Sequence, residues 1–228
     1  PAMGESGVLD FLFGQTWALQ NSPASYGIFP MIVGSVYITL GAVIIGVPIG
    51  ILTAVFLERF CPKSIYKVLK PAVDLLAGIP SIVYGFFGLV VVVPFIRSTF
   101  GGNGSSILAA SLILGIMILP TIIGVSESAI RAVPDSYYEG ALALGATRER
   151  SVFRAVLPAA KSGIMAGIIL GIGRAIGETM AVVLIAGNQA WIPGGILDGV
   201  RTLTTNIVLE MGYATGLHRE ALIATAVV

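Results

Sequence analysis

The stretch VYITLGAVIIGVPIGILTAVF (residues 36–56) contains no charged side chain and is apolar on every face of the helix that it would form. About 20 apolar residues of helix are enough to cross the hydrocarbon core of a bilayer. The alternation of apolar and polar residues that is typical of a membrane β-strand is absent. Because a helix satisfies its own backbone hydrogen bonds in lipid, this stretch predicts a transmembrane α-helix.

Composition extends this prediction to the whole chain of 228 residues. Hydrophobic residues make up 56% of it and charged residues only 11%, which leaves too little polar surface to cover a water-soluble globule. No charged residue lies between Asp10 and Glu58. We therefore expect an all-α membrane protein.

Metal and catalytic chemistry have few candidate residues in this sequence. Cys61 is the single cysteine, so no internal disulfide can form, and His218 is the single histidine, so no Cys/His cluster can hold zinc. We find no nucleophile paired with a base and no Walker-type phosphate-binding loop. We therefore expect a chain without a catalytic site, and without a metal or cofactor of its own.

Apolar segments predict four complete transmembrane helices and the start of a fifth near Glu220. The four cover residues 28–57, 72–96, 106–130 and 162–187. The sequence closes on the apolar run ALIATAVV, and no export signal precedes the first helix. We therefore expect these residues to be part of a longer protein with at least one further span upstream.

The basic residues of the connections orient these helices in the membrane. Nine of them lie between the first and second helices or between the third and fourth, against three on the opposite side. The three are Arg97, Arg201 and Arg219. By the positive-inside rule, the more basic connections are cytoplasmic and residues 1–27 form an external N-terminal segment.

Glycines and prolines inside the predicted helices indicate packing in one place and a break in another. Gly163, Gly167 and Gly171 recur every four residues, which places them on one stripe of a helix and predicts close packing against a neighbour. Pro80 and Ser81, in a GIPS sequence, predict either a kink or a break. A break would expose helix-end groups at which a transported ion could bind.

The sequence RAVPDSYYEGALALGATRERSVFRAVLPAAK (residues 131–161) fills a predicted cytoplasmic connection and has the pattern of a helix, a turn and a second helix. Ser136 and Glu139 fit a capping box at the start of the first helix. Gly145 tolerates the left-handed backbone conformation that would end this helix.

The second helix of this connection has its own start and stop signals. Thr147 can cap it, and we expect it to stop near Pro158. The apolar side chains of the two helices exceed what so short a connection can bury by itself. They indicate a surface that docks on a cytoplasmic partner.

The spacing within this connection resembles the EAA loop of binding-protein-dependent ABC importer permeases, whose pattern is EAA, three residues, G, nine residues and I-x-L-P. Gly140 and Ala155 depart from the pattern, but each leaves a small residue in a helix that needs only a close fit. The resemblance implies that the loop couples the chain to a partner ATPase, through Glu139, Gly140, Ala141, Gly145, Leu157 and Pro158. An amphipathic loop that lies on the bilayer is the alternative interpretation.

Three further stretches and the loop together resemble the phosphate-transport permeases. The stretches are LLAGIPSIVYGFFG (75–88), MILPTIIGVSESAIRAVP (117–134) and GRAIGETMAVVLIAGN (173–188), and GETMAV favours the PstC-type subunit. The resemblance implies the MetI-like fold of ABC type I importers, with about six spans in the full protein. Residues 28–228 would form the permease domain, with residues 131–161 as its coupling loop.

The same resemblance implies a set of partners. They are a second, PstA-like permease subunit, two ATPase subunits that bind ATP with Mg²⁺, and an external phosphate-binding protein. The chain would be a non-catalytic, multi-pass subunit in a prokaryotic plasma (inner) membrane, with its coupling loop in the cytoplasm. We expect no nucleic-acid partner.

Arg174 and Glu178 lie four residues apart in the fourth predicted helix and therefore on one of its faces. Either charge costs about 2.5–3.5 kcal/mol at mid-membrane, so this face must turn away from lipid. The two residues form either a structural ion pair or, as the resemblance favours, part of a path on which Arg174 makes weak, transient contacts with phosphate. The predicted path comprises Arg174, Glu178, Thr179, Pro80 and Ser81.

The sequence thus predicts the permease subunit of an ATP-driven phosphate importer. Two alternatives stay open: an importer permease for sulfate or molybdate, and an ion-coupled secondary transporter, which has no use for an EAA-like loop. A membrane sensor without transport is a third. Asp74 and Glu127, near span ends, receive no role beyond pairing with basic loop residues or facing water.

Overall fold

A computed structural model describes residues 5–18 and 24–228, and helices dominate this part of the chain. Its only sheet is a hairpin of the antiparallel strands β1 (Trp17–Ala18) and β2 (Ser25–Tyr26). The helices in chain order are α1 (Glu5–Phe13), α2 (Phe29–Val55), α3 (Lys63–Gly78), α4 (Ser81–Phe87), α5 (Val93–Phe100), α6 (Ile107–Arg131), α7 (Asp135–Ala143), α8 (Arg148–Ser151), α9 (Leu157–Ala159), α10 (Lys161–Gly177), α11 (Met180–Ile185), α12 (Leu203–Glu210) and α13 (Gly216–Val227).

Wider π-helical turns continue several of these helices without interruption. They are π1 (Phe56–Phe60) after α2, π2 (Gly88–Val92) between α4 and α5, and π3 (Val152–Val156) between α8 and α9. Among the described residues, three continuous stretches are long and apolar enough to cross a membrane: Phe29–Phe60, Ser81–Phe100 and Ile107–Arg131. A fourth candidate combines Arg148–Ala159 with Lys161–Gly177, which meet at an angle of 72°.

Three of the predicted spans can be compared directly with these helices. Residues 28–57 and 106–130 correspond closely to α2 with π1 and to α6, as predicted. The predicted span 72–96 is interrupted at Ile79 and Pro80, where an extended backbone separates α3 from α4. The proline explains this interruption, because its ring disfavours a helical conformation at the residue before it.

The fourth predicted span, residues 162–187, is not one helix. It stops as α10 at Gly177 and resumes as α11 only at Met180. Hydropathy could not reveal this break, because apolar composition is insensitive to the direction of the backbone. The fifth predicted span begins as α13 at Gly216, a few residues before Glu220.

The helices form two compact units, each assembled from separated parts of the chain. Of the described residues, the first contains 5–18, 24–42, 80–114 and 176–228, and the second contains 43–79 and 115–175. In the second unit, apolar side chains from α2, α6, π3 and α10 form a buried cluster that includes Val55, Ile123, Ile130 and Val156. Helix α3 has no buried residue, and its Tyr66 and Val73 pack against this cluster only partly buried.

The glycine stripe of α10 packs as predicted, against α6 within the second unit. A Cβ atom at Gly171 would lie 2.9 Å from Ile122, and one at Gly167 would lie 3.2 Å from Val125. At Gly163 it would collide with Ala129. The stripe therefore permits an approach that no larger residue allows.

A buried carboxylate holds distant parts of the first unit together. Glu210 accepts hydrogen bonds from Trp17 Nε1 at 2.9 Å and from Arg201 Nη1 at 2.7 Å. His218 Nε2 lies 2.8 Å from the same carboxylate and contacts the ring of Trp17. Buried charges persist where they are paired, and here the pairing attaches the β1 hairpin to α12 and α13.

Candidate functional site

The connection between α6 and α10 is a helix, a turn and a helix, as the sequence predicts. Helix α7 ends at Ala143, with Leu144 as its C-cap, and the next two residues close the turn: Gly145 N donates to Leu142 O at 2.9 Å and Ala146 N donates to Ala141 O at 3.1 Å. These two bonds form a Schellman motif, which satisfies carbonyl groups at a helix end. Gly145 has a φ of +83°, so the predicted left-handed glycine is confirmed.

The start of α7 differs from the prediction. The helix begins at Asp135, with Pro134 as its N-terminal neighbour, and no side chain caps it. Ser136 therefore lies inside the first turn, and the capping box predicted for Ser136 with Glu139 does not form. The proline sets the entry to the helix because its ring fixes φ near the helical value.

The second helix of the connection is capped by Thr147, as predicted, whose Oγ1 accepts from Arg150 N at 3.3 Å. It then runs through α8, π3 and α9 to Ala159, so that Pro158 lies within its last residues. The chain bends by 72° immediately afterwards, which places the end of the helix near Pro158 as predicted.

Replacing Thr147 by alanine should loosen the start of α8, because an N-cap hydroxyl contributes about 1 kcal/mol to helix stability. We expect amide hydrogen exchange at residues 148–151 to become about fivefold faster. Exchange measured by mass spectrometry on the purified protein checks this, with Thr147→Ser as a control that keeps the hydroxyl. Equal exchange in the alanine and serine variants would show that the cap contributes nothing.

The outer surface of this connection is exposed and partly apolar. No residue of α7 is buried, and Glu139 and Gly140 lie on its exposed part. The side chain of Leu144 is 91% exposed at the end of the helix. An apolar side chain presented in this way is typical of a docking surface.

An open groove of about 390 Å³ lies beside the Gly145 turn. Its floor contains Ala141 and Gly145, and Arg150 and Arg154 line it from the second helix. Small residues leave the floor accessible, and the two guanidinium groups favour an acidic partner. Of the other predicted coupling residues, Leu157 is half-buried and Pro158 is exposed.

Arg59, which the sequence prediction did not single out for this loop, anchors α7 to the end of α2. Its Nη1 lies 3.4 Å from Asp135 Oδ1, its Nη2 donates to Ile130 O at 3.2 Å, and its guanidinium lies 6.0 Å from the ring of Tyr138. An exposed ion pair contributes little by itself, but Arg59 contacts two residues of α7, Asp135 and Tyr138, and is itself held by the carbonyl of Ile130 in α6, which restricts the orientation of α7. No local sequence pattern indicates that Arg59 contacts these residues, since Asp135 is 76 positions away.

Arg174 is half-buried in α10, in the second unit. Its Nη1 donates to Thr121 Oγ1 over 3.5 Å, which is at the outer limit of a hydrogen bond. This long contact is the only hydrogen bond of the Arg174 side chain among the described residues. The guanidinium therefore keeps donor capacity for a further acceptor.

Glu178 does not share a helical face with Arg174, because α10 ends at Gly177. Instead, Glu178 Oε1 accepts from Ala181 N at 3.1 Å and so caps the first turn of α11. Its backbone carbonyl accepts from Thr204 Oγ1 at 3.1 Å. The predicted i, i+4 arrangement is thus wrong, since the helix that would create it is broken.

Of the kink and the break that the sequence left open at Pro80 and Ser81, the break is present, at the start of α4. Within the first unit, α4 packs along α11, and a Cβ atom at Gly85 would lie only 2.8 Å from Ala181 Cα. Both helices follow an interruption of the chain, and Thr179 precedes α11 as Pro80 precedes α4. Two interrupted helices therefore begin in this unit and pack against each other.

A charged cluster surrounds Glu127 near the end of α6, and the sequence prediction did not identify which residues form it. The side chain of Glu127 is only 4% exposed and is paired with Lys70 Nζ at 3.0 Å and with Arg131 Nη2 at 2.7 Å. Tyr66 Oη donates to it at 2.6 Å. Lys70 also pairs with Asp74 at 3.1 Å, so that the pairing with basic residues left open for both acids is confirmed.

The charge of Lys70 in this cluster is secure. Burial by itself would lower the pKa of its ammonium group, but the hydrogen bonds with Glu127 and Asp74 hold that pKa above the usual 10.5. Because the pKa of Lys70 is raised in the folded state, its ion pairs contribute their full stabilisation at any pH below 10.5. This contribution is lost only as the pH rises through the raised pKa. Lys70 therefore stays protonated at physiological pH, and its ion pairs should not change with pH in that range.

The described residues contain no group of three His, Cys, Asp or Glu side chains that could hold a metal ion. The acids of the charged cluster, Glu127, Glu58 and Asp74, are instead paired with Lys70 or Arg131. The arrangement can position helices and offer a guanidinium to an anion.

Known families and structures match most of this chain. The model of a family described as "Binding-protein-dependent transport system inner membrane component" matches residues 46–228, which include the coupling loop and Arg174. Part of a MetNI methionine ABC transporter, solved in inward-facing conformations, superposes with a TM-score of 0.69 at 21% identity, covering 88% of this chain and 86% of that one. This likeness confirms the predicted MetI-like fold.

Two similar sequences extend the comparison. "Probable ABC transporter permease protein YqgH" of Bacillus subtilis is 42% identical over 208 residues, which are 91% of this chain and 67% of that protein. "Phosphate transport system permease protein PstC" of Mesorhizobium japonicum is 34% identical over 239 residues, with 96% of this chain and 72% of that protein covered. Further PstC proteins, such as that of Pasteurella multocida, match at 34% identity.

Proposed function

Since the chain belongs to the family of binding-protein-dependent transport system inner membrane components and is a permease subunit of an ABC importer, we propose that the solute it carries is phosphate. The carrying observation is its 34% identity to a PstC protein over 96% of the chain. The relative with 42% identity bears a name that states no substrate. Sulfate and molybdate are the competing solutes.

Arg174 supports an anionic solute. It is a half-buried guanidinium, and the single hydrogen bond described for it is long. Such a group presents several N–H donors, which suit the oxygen atoms of a phosphate. Because a guanidinium held weakly by its own protein can bind and release, we assign Arg174 a transient contact during passage.

The remaining predicted path residues have a different part in this proposal. Glu178 uses its carboxylate to cap the first turn of α11 and so shapes the helix break. Thr179, Pro80 and Ser81 lie at the starts of α11 and α4, where the chain changes direction. We propose that these residues maintain the interruptions of the two helices.

The EAA-like loop supports a partner that supplies energy. No residue of α7 is buried, Leu144 projects from its end, and the adjacent groove is lined by Arg150 and Arg154. We propose that an ATPase subunit binds here. The residues in direct contact would be Glu139, Gly140, Ala141 and Gly145. Leu157 and Pro158 would support them from the second helix of the loop. ATP and Mg²⁺ would be bound by that ATPase.

The full transporter in this proposal has more subunits. A second permease subunit, two ATPase subunits and an external phosphate-binding protein would assemble with this chain in a prokaryotic plasma membrane. The family description names an inner membrane component that works with a binding protein. The binding protein would supply most of the affinity, which leaves the membrane path free to bind weakly.

Phosphate uptake by the assembled transporter in liposomes tests the choice of solute. We expect ATP-dependent uptake of labelled phosphate that excess sulfate or molybdate does not reduce, because the external binding protein selects the anion before it reaches the chain. Omission of ATP is the control for leakage. Uptake of labelled sulfate or molybdate without uptake of phosphate would replace the proposed solute by that anion.

A further inference from the structure

Helix α3 depends on polar contacts for its position. None of its residues is buried, and Tyr66 and Val73 reach the apolar cluster of the second unit only as half-buried side chains. Most of the stabilisation of a helix in a folded protein comes from burial of an apolar face. A helix with so little burial is therefore held in large part by its specific polar partners.

Glu127 supplies those partners from α6. Its carboxylate accepts from Tyr66 Oη at 2.6 Å and pairs with Lys70 Nζ at 3.0 Å, and both of these residues belong to α3. Its side chain is only 4% exposed and so is shielded from water. Charge-assisted hydrogen bonds are strong in such a shielded environment. One buried carboxylate thus ties two successive turns of α3 to α6.

The same carboxylate is connected to the coupling helix α7. Arg131 Nη2 binds Glu127 at 2.7 Å and Glu58 at 2.7 Å, which places the last residue of α6 between two acids. The neighbour of Glu58 is Arg59, whose guanidinium reaches Asp135 at the start of α7. Ionic contacts, continued between Glu58 and Arg59 by the backbone of π1, therefore connect α7 with α3.

We propose that Glu127 is a positioning residue that transmits displacement of α7 to α3. The inference rests on the proposed function, since it takes an ATPase bound to α7 as the source of the displacement. Without Glu127, α7 would still move with its partner, but α3 would no longer follow. Continuous contact by itself is only a physical route, so the coupling must be measured.

Cysteine accessibility in the assembled transporter measures it. In a Cys61→Ser background, Val68→Cys places a thiol on an exposed position of α3, where the native side chain is 69% exposed. The rate of reaction with a maleimide is compared without nucleotide and with ATP and vanadate. We expect nucleotide to change the rate in the otherwise unaltered chain and not in the Glu127→Gln variant.

Asp74→Asn is the matched control. Asp74 also pairs with Lys70, at 3.1 Å, but it lies on α3 itself and its side chain is 60% exposed, so it ties α3 to no other element. This variant should respond to nucleotide as the unaltered chain does. Lys70→Met should abolish the nucleotide response, as Glu127→Gln does. The double variant should behave like either single variant, because the two residues act as a pair.

A role of Glu127 in folding alone is separable from this one. Glu127→Gln should lower the melting temperature of the assembled transporter, because it removes the pairing with Lys70 and Arg131, but a role in folding alone would leave the nucleotide response of the assembled fraction unchanged. A nucleotide response retained in Glu127→Gln, or absent from the unaltered chain, would overturn the inference. The assay needs no phosphate, so the wrong solute would refute only the proposed function; failure to assemble with any ATPase would refute both.

Discussion

Replacing Arg174 by alanine should reduce ATP-dependent phosphate uptake about tenfold or more while the transporter still assembles. A hydrogen bond to a charged group contributes about 1.5–3 kcal/mol, and a loss of that size at the barrier slows passage by at least this factor. The structural cost should be small, because Arg174 contacts Thr121 only over 3.5 Å. Uptake of labelled phosphate by proteoliposomes containing the whole transporter measures the effect.

Two further variants show whether the loss of uptake in Arg174→Ala is specific to this guanidinium. Arg174→Lys keeps the positive charge but loses the planar array of donors, so we expect uptake between those of the alanine variant and the unaltered chain. Arg219→Ala removes an exposed arginine of α13 and should leave uptake unchanged. Normal uptake in Arg174→Ala at equal expression would exclude contact of this residue with the anion during passage.

Replacing Gly145 by valine should abolish binding of the ATPase and, with it, uptake. The backbone of Gly145 has a φ of +83°, where a β-branched residue is strained by about 1–3 kcal/mol. The turn can relieve that strain by leaving the Schellman motif, which would redirect α7 and displace Leu144. Co-purification of the ATPase with the chain from detergent measures the loss.

Two glycine variants separate the shape of this turn from its composition. Gly145→Asn should retain much of the binding, because asparagine tolerates the left-handed conformation better than valine does. Gly140→Ala should retain all of it, since Gly140 lies within α7 and a Cβ atom there meets nothing within 4 Å. Equal binding by Gly145→Val and Gly140→Ala would show that the turn does not shape the docking surface.

Local chemistry made the coupling loop predictable in large part. Gly145 and Thr147 act as cap residues through bonds within a few positions of the chain, and such short-range bonds are visible in the sequence. The capping box at Ser136 failed because a competing local signal, Pro134, set the entry to α7. Apolar composition gave the spans but not the interruption after Gly177, which requires knowledge of the backbone direction.

The charged cluster lay beyond sequence reasoning for a different reason. Tyr66 and Glu127 are 61 residues apart, and neither periodicity nor spacing relates two side chains at that separation. The sequence placed Glu127 near the end of a span and left open whether it pairs with a basic residue or faces water. Only the folded arrangement, with α3 beside α6, shows that it is paired. The Arg59 contact with α7 is long-range in the same sense.

The hydrogen bond from Trp17 to Glu210 has a consequence for biosynthesis. The two residues are 193 positions apart, so the bond cannot form until nearly all of the intervening chain has been synthesised. At about 5–20 residues per second, translation of that interval takes roughly 10–40 s. Throughout this time the indole of Trp17 lacks its native partner Glu210, and the hairpin that carries it cannot be attached to α12 until α12 has emerged from the ribosome.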